Sequence, residues 1–308
     1  MKSKHATASH RISFDRAGID ACARYGLDRK KASFRRLLRT KGCRLAYEHY
    51  LWSNVSSKET IEEFWKAELE RVEWSPGLVI SMGATAELLE RKRGQWLGAV
   101  LRYLPRGHVF DSTVYLIGGY DSVVQGEDVT LNMASGLFQR DSREAVYYLA
   151  HELAHAGYAR YHPMPDLRAL KTLGELVHTL KLLTQLEGMG VITPYSLRMK
   201  EGGLLDSDYK LLLDERKTLS RVQAYFKLLS GLEREPDRSI RPEDYGVLDA
   251  FSRRPKRLWY VAGGYMALRI EEQSGSRSLG GLVKEGPEAF FEAYTRAENR
   301  TGYTPSRA

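Results

Sequence analysis

One stretch of the sequence, LAHELAHAGYARYHPMPD at residues 149–166, constrains the fold more than any other. It contains an H-E-x-x-H pattern, in which His151 and His155 flank Glu152 and two apolar residues. Residues four apart lie about 40° apart around an α-helix, so a helix brings both imidazoles to one ion. Glu152 lies beside them and can take a proton from water. The motif therefore predicts a zinc site on a helix.

The residues before the motif predict strands and then the start of that helix. Within residues 109–139, VFDSTVYLIGGYDSVV and DVTLNMASGLF are rich in β-branched and aromatic residues, which predicts strands that are antiparallel neighbours. Asp141 with Glu144 three residues later forms a capping-box pattern ahead of the apolar run AVYYLA. Pro163 must end the helix. The motif is therefore expected on a capped helix directly after two strands.

Most of the remaining chain predicts helices. Residues 14–74 include TIEEFWKAELERVEW, whose apolar side chains recur at the three-to-four spacing of a buried helix face, and WSPG then ends the pattern. A long helix is predicted from near Asp166 to Gly188. Further helices are predicted at 206–232, 258–274 and 287–298.

These elements together predict an α+β fold that is predominantly helical, with a small sheet. Breaks in the pattern divide the chain into three regions. We predict a basic N-terminal helical region at 1–75, a catalytic region at 76–200 and a C-terminal helical region at 201–308.

The two motif histidines do not complete a zinc site, because a catalytic zinc usually has three protein ligands and a water. The chain has only two cysteines, with no C-x-x-C pair, so the third ligand is expected to be His, Asp or Glu. His162 is a poor candidate, since it would stand roughly 10 Å along the helix axis from His155. Asp166 follows two prolines and is typical of a helix N-cap.

The helix after the motif offers three further candidates, Glu175, His178 and Glu187. At roughly 100° per residue, Glu187 projects from the leucine stripe that must face the interior, whereas Glu175 lies about 120° away and His178 about 180° away. A carboxylate on an apolar face is costly unless it is paired, and zinc is a good partner. Glu187 is therefore favoured as third ligand, with Glu175 and His178 as alternatives.

This pattern resembles the gluzincin superfamily of zinc metallopeptidases. HELAH followed by a leucine-rich helix ending in QLEGMG is similar to a group of predicted zinc-dependent peptidases in which that helix ends in Glu-Gly-x-Ala, although Gly190 stands here in place of the alanine. The later WYVAGGYMALRIEEQSG is similar to the group's Tyr/Gly-rich C-terminal helix. The resemblance covers roughly residues 110–295. It implies a zincin-like core, in which an antiparallel sheet packs on the HExxH helix.

The resemblance also implies substrate and oxyanion contacts. In such enzymes the edge strand beside the cleft pairs with the substrate backbone. VTLNMA at 129–134 is the strand expected there, with Asn132 and Met133 as substrate contacts. A tyrosine usually stabilises the oxyanion in gluzincins, which points to Tyr260 or Tyr265.

The implied function is a zinc-dependent metallopeptidase that uses one zinc ion and Glu152 as general base on a peptide or protein substrate. Two alternatives stay open. Residues 1–44 carry 13 Lys and Arg against 3 Asp, so the chain could be a nucleic-acid-associated zinc protease recruited by this segment. The fold could also serve as a non-catalytic binding module, although the motif is intact.

No membrane or secretory segment is predicted. The longest apolar run, LWYVAGGYMAL at 258–268, is far short of the roughly 20 residues that a membrane helix needs. No basic segment followed by an apolar run and a cleavage site opens the chain. We therefore expect a cytoplasmic protein without membrane contact.

Overall fold

The computed structural model describes residues 10–54, 57–253 and 256–301. Over these residues the chain forms fifteen α-helices, two 3-10 turns and one four-stranded sheet, which confirms a predominantly helical α+β fold. The strands are β1 (Arg11–Asp15), β2 (Asp111–Ile117), β3 (Val123–Gln125) and β4 (Asp128–Asn132). The helices are α1 (Ala17–Asp28), α2 (Lys31–Leu37), α3 (Lys41–Ser53), α4 (Ile61–Glu70), α5 (Pro76–Arg91), α6 (Arg93–Arg102), α7 (Gly136–Arg140), α8 (Arg143–Ala159), α9 (Leu173–Glu201), α10 (Ser207–Leu212), α11 (Glu215–Glu233), α12 (Gly246–Ser252), α13 (Leu258–Ser274), α14 (Ser276–Glu285) and α15 (Pro287–Thr301). The 3-10 turns are Leu167–Ala169 and Pro242–Tyr245.

The sheet is mixed, with strand order β1-β2-β4-β3. β3 and β4 form an antiparallel hairpin that turns at Gly126, where φ is +63°. β4 lies between β3 and β2 and runs parallel to β2. The antiparallel prediction is therefore correct for the hairpin but wrong for β2 and β4. The chain reverses direction between β2 and β3 and again between β3 and β4, so β4 runs in the same direction as β2.

The edge strand β1 lies in the region predicted to be helical. It pairs in parallel with β2 over all five residues, from Arg11 opposite Asp111 to Asp15 opposite Tyr115. The helical prediction for the N-terminal region therefore fails over this strand, because five residues are too few to show a clear period. β1 joins the N-terminal region to the sheet beside the motif helix, while the division of the chain at 75 and 200 stays a prediction.

Helix α8 carries the HExxH motif and ends at Ala159, before the prolines, as predicted. Its start differs from the prediction, since no capping box forms. The Asp141 carboxylate accepts a hydrogen bond from the Arg143 backbone N–H at 3.0 Å. Glu144 instead turns inward and pairs with Arg198 of α9 at 2.8 Å. Glu144 therefore ties α8 to α9 rather than capping its own helix.

Helix α9 begins later and ends later than predicted. Thr172 is its N-cap, with the hydroxyl accepting from the Glu175 N–H, whereas Asp166 caps the 3-10 turn at 167–169. The helix continues past Gly188 and through Pro194, because tertiary packing buries this stretch and outweighs local propensity. None of the described helices, α9 included, is both long and apolar enough to span a membrane.

The packing order places the motif helix at the centre of the molecule. β3 and β4 pack on α8, α8 packs on α9, and α9 packs on α13. The last contact is very close: a Cβ added to Gly188 of α9 would lie 2.5 Å from the Gly263 carbonyl oxygen of α13. Only glycine at both positions permits this approach. It brings the N-terminal end of α13 to the same side of α9 as the motif.

Candidate metal centre

A cavity of about 690 Å³ opens beside the second half of α8. Its walls come from α8, α3, β3 with the loop before it, α9, α10, α12, the start of α13 and the segment after α8. The lining residues include His49, Trp52, Asp121, Ser122, Val123, Val124, Gln125, His151, Glu152, His155, Glu187, Arg257 and Tyr260.

His151, His155 and Glu187 converge at this cavity. Their candidate ligand atoms all lie within 4.8 Å of one another. The Nε2 atoms of His151 and His155 lie 3.4 and 3.3 Å from the same oxygen, Oε2 of Glu187. The two imidazole planes stand at 81°, with ring centroids 4.4 Å apart. The structure thus brings together the three residues favoured as ligands.

The donor set and its unmet polar atom fit a zinc ion. Oε2 of Glu187 is buried and has no hydrogen-bond partner among the described residues. Its separations from both Nε2 atoms exceed the roughly 2.7–3.2 Å of an N–H···O bond. A buried carboxylate oxygen without a partner is costly, and a cation between the three atoms would satisfy it. Two imidazole nitrogens and one carboxylate oxygen also match the ligands of catalytic zinc.

Burial and neighbouring charges set the ionisation of these groups. Burial raises the pKa of Glu187, but the His155 and His151 imidazoles lower it overall to below the usual range. Burial lowers the pKa of His151, with His155 adding to the shift, which favours the neutral imidazole that binds metals. Burial also raises the pKa of Glu152 well above its usual value, and Asp121 and Glu187 add to this. Glu152 is therefore a stronger base than an exposed glutamate.

Gly190 leaves room for both imidazoles. A Cβ at this position would lie 2.5 Å from Cε1 of His155 and 2.8 Å from Cε1 of His151. These distances are shorter than real Cβ contacts, so the rings would have to move if a side chain were present. The glycine in place of alanine, noted in the sequence, therefore has a steric reason in this chain.

The alternative ligands lie outside the cavity. Glu175 is exposed at the start of α9, where its carboxylate accepts a hydrogen bond from the backbone of Lys171. His178 is exposed and pairs with Glu288 at 2.7 Å. His162 donates from Nε2 to a backbone carbonyl of α14 at 2.8 Å. None of the three contributes to the cluster of possible ligands found among the described residues.

A scan against family models matches residues 95–301, about two thirds of the chain, to the family described as "Putative zinc dependent peptidase (DUF5700)". The chain belongs to this family. The matched segment begins within α6 and includes the motif, Glu187 and Tyr260. The search of curated proteins and the search of solved structures found no match.

Asn132 and Met133 do not reach the cavity, although both lie in the family segment. β4 is an interior strand, so it lacks the free edge on which their predicted role depends. The Asn132 side chain accepts hydrogen bonds from the backbone N–H groups of Gly119 and Ala134 at 2.9 and 3.0 Å, and Met133 is fully buried. The edge strand along the cavity is β3, with residues 122–125 in the wall. Strand order is a non-local property that the sequence pattern does not disclose.

Tyr260, at the start of α13, lies in the cavity wall, whereas Tyr265 is not among the wall residues. Burial raises the pKa of Tyr260 well above its usual value, so the phenol keeps its proton. The Arg257 guanidinium lies 3.5 Å from the centre of the Tyr260 ring and pairs with Asp208 at 2.7 Å. Arg257 also has left-handed backbone geometry, with φ of 43°, which is strained for a non-glycine residue.

The wall residues that were not predicted from the sequence include Arg257, and His49 and Trp52 of α3. The sequence YEHYLWS around the last two has the texture of an ordinary helix. About 100 residues separate them from the motif, so no local spacing connects the two regions. Such residues can be identified only from their positions in the folded structure.

Proposed function

We propose that this protein is a zinc-dependent metallopeptidase that hydrolyses peptide bonds. The observation that carries the proposal is the convergence of His151, His155 and Glu187 on a buried point beside Glu152, in a cavity with an adjacent strand edge. Membership of the family of putative zinc-dependent peptidases supports the same class of reaction.

Each group has a defined part in this proposal. One zinc ion, held by His151, His155 and Glu187, would act as a Lewis acid toward the scissile carbonyl. Glu152 would accept a proton from the attacking water and donate it to the leaving amine. Its raised pKa supports both steps, because the carboxylate is basic enough to take the proton and acidic enough, once protonated, to return it.

The cavity walls suggest how a peptide would be held. The outer edge of β3 could pair with an extended peptide through backbone hydrogen bonds. Tyr260 is protonated and lies in the same wall as the motif, so its hydroxyl would serve as a donor to the developing oxyanion. This part of the proposal replaces Asn132 and Met133 with residues 122–125 as substrate contacts.

The substitution Glu152→Gln tests the proposal. Zinc content by mass spectrometry should stay unchanged, since Glu152 is not one of the three converging residues. Cleavage of casein should fall by at least about 100-fold, because the amide cannot accept the proton. Glu127→Gln is the matched control, because Glu127 is a partly exposed glutamate outside the cavity wall that pairs with Arg160. Casein cleavage that survives in Glu152→Gln contradicts the proposal.

The nucleic-acid-associated protease is the second candidate, carried by the charge of residues 1–44. The first nine of these residues lie outside the described part of the chain. Two cations of the segment pair with carboxylates of the sheet, Arg11 with Asp111 and Lys41 with Asp128. Salt-dependent binding to duplex DNA would support this candidate. If the protein shows no such binding to DNA, this second candidate fails and the metallopeptidase proposal is unaffected.

A further inference from the structure

His49 reaches the cavity from a part of the chain outside the family segment. It lies on α3, and the segment that matches the family begins at residue 95. Its Nδ1 atom lies 3.1 Å from the hydroxyl oxygen of Tyr120, and its ring packs beside Trp52 with centroids 5.6 Å apart. These contacts fix the orientation of the imidazole in the wall.

The hydrogen bond between His49 and Tyr120 can run in either direction, depending on the tautomer of the ring. Burial lowers the pKa of His49 to about 4, so the ring is neutral near pH 7 and carries one proton. Burial raises the pKa of Tyr120, so its hydroxyl keeps its hydrogen. When that hydroxyl donates to Nδ1, the ring proton is on Nε2, and His49 presents an N–H donor on the side of the ring away from Tyr120.

His49 lines the same cavity as His155 and Glu187. Glu187 raises the pKa of His49 and His155 lowers it, although burial has the larger effect. His49 is nevertheless absent from the cluster of ligand atoms that lie within 4.8 Å of one another. No hydrogen-bond partner of its Nε2 atom is found in the described part of the chain, and the residue lines the cavity.

We infer that Tyr120 donates to Nδ1 of His49 and that His49 is a catalytic residue of the proposed peptidase, whose Nε2–H donates a hydrogen bond to the scissile carbonyl oxygen as negative charge develops there. This inference rests on the proposed function. The imidazole keeps its proton throughout, so the proton transfers stay with Glu152. A preorganised donor of this kind acts on the transition state more than on the bound substrate.

The anchoring of α3 supports such a role, because a donor must be held in place. The Trp52 indole N–H donates to the Pro165 carbonyl at 2.8 Å, and Arg168 donates to the Leu51 carbonyl at 2.9 Å. Pro165 and Arg168 both lie in the segment that follows the motif helix, and Pro165 lines the cavity. The N-terminal region is thus bonded to the segment that follows α8 and completes one wall of the cavity.

Variants of His49 and Tyr120 test the inference in the full-length, zinc-loaded protein. His49→Ala should lower cleavage of casein and of a fluorogenic peptide library on the order of 100-fold to 1,000-fold, with zinc content unchanged. His49→Gln should recover part of this loss, since its amide can donate from a similar position. Tyr120→Phe should give a smaller loss of cleavage, because the His49 ring stays in place but no hydroxyl then favours the tautomer with the proton on Nε2. His178→Ala, in the exposed pair with Glu288, is the matched control.

A measurement independent of cleavage uses nitrogen NMR of histidine-labelled, metal-free protein. The His49 resonances, assigned by their loss in His49→Gln, should report the Nε2–H tautomer, and Tyr120→Phe should produce a mixture of tautomers. An Nδ1–H tautomer in the unmodified protein overturns the inference. So does His49→Ala cleaving within threefold of the unmodified protein, or losing its zinc.

The outcomes separate this inference from the proposed function. If the unmodified zinc-loaded protein cleaves neither substrate, the proposed function fails and the role of His49 fails with it. If the unmodified protein is active, Glu152→Gln is inactive and His49→Ala is fully active, only the role of His49 is overturned. Thermal unfolding of each variant shows whether a loss of cleavage comes from misfolding. If His49→Ala is misfolded, cleavage by the more conservative His49→Gln variant tests the role of His49 instead.

Discussion

Helices α8 and α9 share two buried polar clusters that differ in how their charges are satisfied. Near the start of α8, Glu144 and Arg198 form an ion pair at 2.8 Å, with side chains 0% and 1% exposed. The guanidinium also lies over the rings of Tyr147 and Tyr209, 4.6 and 4.1 Å from their centres. In this closed cluster a cation of the chain itself balances the carboxylate charge.

The second cluster, in the second half of α8, is open. Glu187 meets His151 and His155 at 3.3–3.4 Å, and its Oε2 atom has no hydrogen-bond partner among the described residues. In the first cluster a guanidinium of the chain itself faces the carboxylate, whereas in the second the carboxylate oxygen faces two imidazole nitrogens at distances longer than an ordinary hydrogen bond. Buried charge alone therefore does not indicate a functional site. A buried carboxylate that faces two imidazoles does, because it identifies where an external cation would stabilise the fold.

The largest expected effect comes from breaking the closed cluster. Arg198→Met leaves the Glu144 carboxylate buried and unpaired, so the free energy of unfolding should fall by about 3–5 kcal/mol. Urea denaturation measures this loss, and zinc content of the folded fraction should not change. Replacing both partners, with Glu144→Leu added, should recover most of the stability, since no charge then stays buried. If Arg198→Met alone is as stable as the unmodified protein, Arg198 does not balance a buried charge on Glu144.

The next effect comes from removing the unmet carboxylate of the open cluster. Glu187→Gln should weaken zinc binding by at least about 100-fold, or about 2.7 kcal/mol, because it removes the charged ligand. Isothermal titration with zinc measures the change. The metal-free variant should be no less stable than the unmodified protein, unlike Arg198→Met. Glu175→Gln, on the same helix but exposed, is the control; if it weakens zinc binding more than Glu187→Gln does, the ligand assignment is wrong.

A smaller effect should follow from adding one methyl group to the open cluster. Gly190→Ala places a Cβ against both imidazoles, which must move from their present positions. We expect about tenfold weaker zinc binding, equivalent to about 1.4 kcal/mol, in the same titration. Gly231→Ala is a suitable control, because a Cβ added there has open space on α11. Unchanged zinc affinity in Gly190→Ala would show that the rings have room to move.

The parts of the site that could be predicted from the sequence are those set by helix geometry. His151 and His155 are four residues apart, and Glu187 follows a leucine stripe that must be buried, so each position can be read from a periodic pattern. The same logic placed His178, kept as an alternative ligand, on the opposite face, where it is exposed and pairs with Glu288. It failed for Glu144, which a capping-box pattern assigned to the helix terminus although the side chain pairs with α9.

The parts that could not be predicted depend on which distant segments meet. The order of the strands makes β3 rather than β4 the edge beside the cavity, so Met133 is buried and Asn132 bonds to neighbouring backbone. β1 joins the sheet from the far N-terminal side, and α3 brings His49 to the cavity. No periodic pattern records the contacts of β1 and α3, because the elements they contact are about 100 residues away in the chain.

Helical periodicity in the sequence predicts the chemistry on the helices, which is two imidazoles and a carboxylate on faces that must turn inward, and the sequence also identifies the family. The carboxylate that faces both imidazoles, the strand that borders the cavity and the distant residues that complete its walls become visible only in the folded chain. Side-chain direction on a helix follows from local backbone geometry, whereas strand order and wall composition follow from the packing of whole elements.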